Sequence, residues 1–224
     1  ARSKTRRSGT SHSDSRSASD TPRKAPARMS RSTGQRPPQP QGLLLYGSHA
    51  VRAALANPKR HCHRLLLTEE AYRREGAALE KLGRNRVNPP SLERVERQEL
   101  DLLLPGAVHQ GIAIDVAPLA APALQDFLDQ LPPGPALLVL LDQVTDPHNV
   151  GAILRSAAVF GAAALITPER HAAPETGALA KAASGALERV PYLREVNLAR
   201  CLDQLKEVGF WVLGFAGEAP QSLG

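Results

Sequence analysis

From residue 43 onward, short apolar runs alternate with longer stretches whose apolar positions recur three and four apart. LLLYGSHAVRAALAN (43–57) opens the folded part, and Ser48 is placed to cap a short helix over 49–56. HRLLLT (63–68) reads as a strand, and EEAYRREGAALEKLG (69–83) as a helix that stops on Gly83. Residues 86–88 read as a short strand before the Pro89-Pro90 break, SLERVERQELDLLL (91–104) as a capped helix, and HQGIAIDV (109–116) as a strand. These elements form a small β/α unit, 43–117, of roughly the smallest size that folds alone. The proline-rich stretch 118–135 reads as a linker.

The alternation then restarts. ALLVLLD (136–142) is an unbroken apolar run, the pattern of a strand buried on both faces of a parallel sheet. A helix over 149–160, a strand at 163–167, a helix over 175–187 weakened at Ser184-Gly185, a strand at 192–196, a helix over 198–209 and a strand at 210–215 follow. Strand–helix repetition of this length predicts an α/β domain with a parallel sheet over 136–224.

Composition changes the picture at the N-terminus. The net charge of +6 is unevenly spread: residues 1–42 hold ten Lys/Arg against two Asp, whereas 43–224 hold eighteen against twenty acids. That arm has no apolar periodicity and is rich in Ser, Arg, Pro and Gly, so it reads as disordered. Three readings stand for it: a polyelectrolyte arm that attracts nucleic acid, a solubilising tail, and a transit peptide. The chain opens on Ala1 and its only Met is Met29, which leaves the native start open. The two cysteines, Cys62 and Cys201, form no CxxC pair and imply neither a zinc site nor a disulfide framework. No apolar run approaches the ~18 residues of a membrane span. The expectation is a soluble cytoplasmic protein with no metal.

The chemistry concentrates in DQVTDPHNVGAILRSAAVFG (142–161). In open parallel sheets ligands bind beyond the carboxyl ends of the strands, and this loop follows the first strand of the second unit. Pro147 fixes the loop backbone, Asn149 is placed to cap the helix, and Gly151 lets the first turn approach another segment or a ligand closely. Arg155 lies off the apolar stripe formed by Val150, Ile153, Leu154, Ala157 and Ala158. Each residue alone has a plain structural explanation: a cap, a solvated charge, acids near a helix dipole. Together they lean towards an anion-facing site. The glycine spacing fits neither the dinucleotide-binding nor the P-loop pattern.

This run closely resembles the first signature motif of the SpoU (TrmH) family, RNA 2′-O-ribose methyltransferases of the SPOUT superfamily. LLLYGSHAVRAAL and VHQGIAIDV resemble the small substrate-binding domain of many members, and KAASGALERVPYLREVNLARCL and GFWVLGFAGEA resemble the middle of the catalytic domain. The likeness covers about 43–224 and is closest to the branch that methylates a guanosine of large-subunit ribosomal RNA.

The resemblance implies Asn149 and Arg155 as a catalytic pair, with Glu188 in ALERVP as a further polar position of the family. It implies a knotted α/β catalytic domain, S-adenosylmethionine as cofactor, with Gly214 and Gly217 at the rim of its loop, ribosomal RNA as partner and a homodimer. Arg52, Lys59, Arg60, His61, His63 and Arg64 are the candidate RNA contacts of the small domain, with solvated basic face as the plain alternative for each. His109 has a family match and an equally good structural reading. Family members continue into a strand ending in Gly-Glu-Gly and a Ser-Leu-Asn segment opening a last helix, whereas this chain ends at Gly224. The expectation is therefore a member lacking its C-terminal motifs, which alone neither binds S-adenosylmethionine measurably nor methylates RNA, and which aggregates through an exposed edge. A non-catalytic RNA-binding protein and a 2′-O-methyltransferase acting on tRNA are the alternatives.

Overall fold

The computed structural model describes residues 39–170 and 172–216. The arm up to residue 38, and Gly217 with it, lie outside those residues. The first sheet is built from β1 (Leu43–Tyr46), β2 (Cys62–Leu67), β3 (Ser91–Arg94) and β4 (Ile112–Val116), in the order β1-β4-β2-β3. β4 runs antiparallel to both β1 and β2, and β2 runs parallel to β3. Every residue of β4 is buried, because it is a central strand covered on both faces. The second sheet is parallel throughout, in the order β5 (Leu138–Leu140), β6 (Ala164–Pro168), β7 (Tyr192–Glu195). Together they make the mixed α/β architecture that the alternation predicts.

Helices α1 (Ser48–Ala56), α4 (Arg97–Leu103), α5 (Leu124–Asp129), α6 (Pro147–Val159), α7 (Gly177–Ala182) and α8 (Leu198–Glu207) connect the strands. Between β2 and β3 the helix begins as α2 (Glu69–Ala71), widens into a π-helical turn (Tyr72–Gly76) and resumes as α3 (Ala77–Arg84). Thr68 caps it, accepting from the amide of Ala71.

Several local expectations are corrected. Ser48 does not cap α1: Gly47, at φ 84°, holds the cap position, and the Ser48 hydroxyl donates to Glu75. Residues 91–104 are not one helix. Ser91–Arg94 pairs with β2, and Glu96 and Glu99 then close a capping box that starts α4. Residues 86–88, read as a strand, are a turn, because β2's free edge is taken by Ser91–Arg94 instead. Asp146, not Asn149, caps α6, its carboxylate accepting from the amide of His148 with Pro147 in the first turn. The helix over 175–187 ends at Ala182, because Gly185 turns left-handed at φ 88° and a 3-10 turn (Ala186–Glu188) follows. The proline-rich 118–135 contains α5, whose Leu124 and Phe127 join the core around β6 and α8. Residues 210–215 form no strand: no described strand offers them hydrogen bonds, and Trp211, Leu213 and Phe215 stand exposed. β5 is half-buried rather than buried on both faces, since it is the edge of its sheet, and the central position belongs to β6.

The two sheets share one core. Leu45, Val51, Leu55, Leu65, Ile112 and Ile114 of the first pack in the same cluster as Leu141, Val150, Leu154, Leu165, Leu179 and Leu187 of the second. Two glycines let the layers meet. A Cβ on Gly177 would lie 2.4 Å from the carbonyl oxygen of Leu44, so α7 starts against β1. A Cβ on Gly151 would lie 2.6 Å from the Cβ of Ala182 and 2.7 Å from the carbonyl oxygen of Leu179. Of the two roles open to Gly151, close approach to another segment is the one the structure shows. Gly151→Ala is expected to cost about 1–3 kcal/mol, the usual cost of overpacking. Urea unfolding checks it, and an unchanged midpoint would mean that α6 and α7 part freely.

Candidate functional site

α6 presents its apolar residues Val150, Leu154 and Ala157 to the core and leaves His148, Asn149, Arg155 and Ser156 exposed. Asn149 and Arg155 are six residues apart, about 9 Å along the axis at the helical rise. No hydrogen bond joins them, so Asn149 does not orient Arg155 directly. Arg155 has no hydrogen-bond or ion-pair partner among the described residues, and its guanidinium is open to solvent. Seven residues before it, on the same stripe of the helix, stands His148. The loop that delivers this helix is held by the Asp146 cap, and Gln143 within it has a left-handed φ of 56°. A fixed loop, a rigid helix and an unpaired guanidinium can present a planar, bidentate donor to a phosphate or a carboxylate.

Glu188 sits elsewhere. Its carboxylate is buried on the seam between the two sheets, where the Arg60 side chain is wholly buried too. Arg60 Nη2 and Nε donate to Glu188 at 2.6 and 3.0 Å, and Nη1 donates to Glu175 at 2.5 Å and to the Ala117 carbonyl at 2.9 Å. Asn57 Nδ2 donates to Glu188 at 2.7 Å, and the Leu119 amide to Glu175 at 3.3 Å. Burial opposes the charge on Arg60, but the hydrogen bonds and charges of Glu188 and Glu175 outweigh it and hold its pKa above the usual value. Glu188 is therefore an anchor of the seam, its carboxylate held by Arg60 and Asn57. Asn57 and Glu175 were not singled out by sequence. Their partners lie 131 and 115 residues away, and no local spacing signals such a contact.

The candidate RNA contacts divide in the same way. Arg60, Arg64 and His109 are buried, which corrects their reading as RNA contacts. Arg64 donates to Asp115, which also accepts the amides of Gln41 and Gly42. Ring Nδ1 of His109 accepts from the Gly111 amide, which leaves the proton on Nε2, facing Asp101 at 2.9 Å. A buried charge without a partner is costly, so these side chains are internal ties. Arg52 is half-exposed and paired with Glu75. Hydrogen bonds to that carboxylate from Ser48, Arg52 and Arg74 overcome its partial burial and hold its pKa low. Lys59 and His61 are exposed and His63 half-buried, with the two imidazole rings 4.6 Å apart.

Gly214 lies in the exposed segment after α8, and a Cβ there would meet no atom within 4 Å, so the described residues form no cradle around it. Cys62 and Cys201 are buried free thiols whose pKa burial pushes up, that of Cys201 to about 11, so neither is a thiolate nucleophile near neutral pH. Among the described residues no cluster of His, Cys, Asp or Glu is placed to hold a metal ion, and no helix is long and apolar enough to cross a membrane.

Comparison with known proteins adds the following. The sequence profile of the SpoU rRNA Methylase family matches residues 136–223, and that for RNA 2′-O ribose methyltransferase substrate binding matches residues 44–122. The chain is 42% identical over 182 residues to a 23S rRNA (guanosine-2′-O-)-methyltransferase RlmB of Pseudomonas syringae pv. tomato, covering 80% of this chain and 71% of that protein. With the RlmB of Vibrio vulnificus the identity is 40% over 182 residues, covering 80% and 72%. Among solved structures, the SpoU methyltransferase AviRb from Streptomyces viridochromogenes in complex with AdoMet superposes with a TM-score of 0.55 at 22% identity, over 74% of this chain and 59% of that one. The AdoMet-bound rRNA methyltransferase from Sinorhizobium meliloti superposes with a TM-score of 0.52 at 19% identity, over 68% and 53%. At these identities the structural likeness speaks for the fold.

Proposed function

The chain belongs to the SpoU rRNA methylase family, and from that premise we propose that it serves 2′-O-methylation of a guanosine ribose in large-subunit ribosomal RNA. The observation that carries the reading is Arg155, exposed and without a partner among the described residues, on a helix whose sequence resembles the family's first motif. S-adenosylmethionine, the family's methyl donor, supplies the electrophilic methyl group.

The chain's own residues act on the acceptor side. Arg155 is a poor base, because its pKa lies above ~12. Its guanidinium instead grips a phosphate beside the target ribose and stabilises negative charge developing on the 2′-oxygen. Asn149, at the mouth of the same loop, positions the incoming strand. Holding the hydroxyl in line with the donor supplies much of the rate without further chemistry. The N-terminal sheet unit presents RNA to this helix, with Arg52, His61 and His63 as contacts that reach solvent. A homodimer in the cytoplasm belongs to the same reading. Val159 and Phe160, exposed at the end of α6 beside Arg155, are the apolar pair that a second copy covers.

The test is transfer of tritiated methyl from S-adenosylmethionine to 23S-type ribosomal RNA by a protein that carries the family's C-terminal motifs in addition to these residues, with nuclease digestion to identify the product. The expected product is 2′-O-methylguanosine. Label on a base, or on tRNA alone, would overturn the substrate assignment.

The arm gives a separate prediction. All ten of its basic residues precede residue 38, and Gln41 and Gly42 are needed as amide donors to Asp115. Deleting 1–38 is expected to weaken RNA binding without regard to sequence and to flatten its salt dependence, because fewer counterions are released. A salt slope unchanged by the deletion would make the arm a bystander.

A further inference from the structure

We propose that the cleft between the two sheet units binds a single-stranded stretch of RNA, at a site apart from the acceptor face of α6. This inference rests on the RNA reading above and adds a second place of contact to it. The cleft has a volume of about 650 Å³, within the range of ligand-sized sites. Four segments far apart in the chain build it: Asn57–Lys59 after α1, the linker Pro118–Pro122, Pro174 with Glu175, and Leu187–Tyr192 with Arg194.

Its charge is one-sided. Lys59, Arg189 and Arg194 are all exposed at its rim. Among the described residues none of the three has a carboxylate partner; Arg194 only leans towards the ring of Tyr192, 5.7 Å from its centroid. Arginines of the N-terminal unit such as Arg52, Arg73, Arg74 and Arg84 are ion-paired by contrast. The two carboxylates in the cleft wall, Glu175 and Glu188, share buried Arg60, which offsets one of their two charges. The three rim cations outweigh the charge that remains, so the cleft keeps a positive excess, a match for a polyanion.

The floor is apolar, made by Pro118, Pro122, Pro174, Leu187 and Pro191 with Tyr192. Rim cations suit phosphates, and an apolar, aromatic floor suits the face of an unstacked base. A base held in an A-form duplex cannot reach such a floor, so the geometry selects single strand over helix. Because Lys59 comes from one unit and Arg189 and Arg194 from the other, the site exists only while the seam beside Arg60 is closed.

The experiment uses the full chain and a single-stranded oligoribonucleotide carrying 4-thiouridine, with crosslinked peptides mapped by mass spectrometry. Crosslinks are expected within 118–122 and 187–194. The triple variant Lys59→Ala, Arg189→Ala, Arg194→Ala should lose them at least tenfold while its circular dichroism is unchanged, all three side chains being exposed. The salt slope of binding should become shallower by about 2, at ~0.7 per phosphate contact of a single strand. Unlabelled strand should compete and the matching duplex should not. Crosslinks confined to other segments, retention in the triple variant, equal competition by duplex, or equal competition by polyglutamate would each overturn the proposal. Methyl transfer, measured with a protein that carries the family's C-terminal motifs in addition to these residues, separates the two readings. Cleft crosslinks without transfer remove the enzymatic reading alone, and transfer without cleft crosslinks removes the cleft alone.

Discussion

Arg60→Ala is expected to lower the unfolding free energy by about 3–5 kcal/mol, the usual loss when one partner of a buried ion pair is removed. The side chain is wholly buried, and Glu188 and Glu175 are nearly so, at 4% and 13% exposure. Truncation strips two carboxylates and the Ala117 carbonyl of their main donor in a place where little water can substitute. Most of the loss is thus the cost of stranded anions, not the net worth of the pair. Replacing the cluster as a set, by Arg60→Met with Glu188→Leu and Glu175→Gln, should recover more than half of it. Urea unfolding of the three proteins decides the matter. A loss below about 1 kcal/mol for Arg60→Ala would mean that the seam opens and lets water reach both acids.

Arg155→Ala should behave in the opposite way. The side chain has no hydrogen-bond or ion-pair partner among the described residues and lies off the buried stripe of α6, so stability should stay within ~0.5 kcal/mol, as at an ordinary surface site. In a protein that also carries the family's C-terminal motifs, methyl transfer to ribosomal RNA should fall by two to three orders of magnitude, roughly what the loss of one preorganised transition-state donor costs. Arg155→Lys should recover little, because an ammonium cannot make the planar two-pronged contact of a guanidinium. Near-normal turnover in Arg155→Ala would take this residue out of the mechanism. The two arginines together separate a buried tie from an exposed donor, roles that side-chain type alone does not distinguish.

What the sequence made legible follows from the range of the forces. Strands β2, β4 and β6 stand out because their apolar runs are buried whatever packs on them. The helix from Pro147 is legible because Pro147, Gly151 and the apolar spacing all act within two turns. The eclipse of Asn149 by Asp146 as the cap is a close contest between two good cap residues three positions apart, decided by where the loop turns. β3 was missed because SLERV has helical spacing, and only its pairing with β2 makes it a strand. Glu188 stands out in the sequence only through the family's motif, and its carboxylate answers Arg60 across 128 residues, beyond any local pattern. Lys59 and Arg60 show the same limit: adjacent cations, one in solvent and one in the core.

The buried tie at Arg60 also constrains the order of events during synthesis. A ribosome that has completed the first sheet has made Arg60 but not its anions, which arrive 115 and 128 residues later. At about 5–20 residues per second, Glu188 is added roughly 6–25 s after Arg60. Throughout that interval the cation has no buried counterion, and water is its best solvent. The corner around Asn57–Cys62 is therefore expected to stay open to water on the nascent chain until Glu175 and Glu188 have emerged, which makes its closure a late step of synthesis.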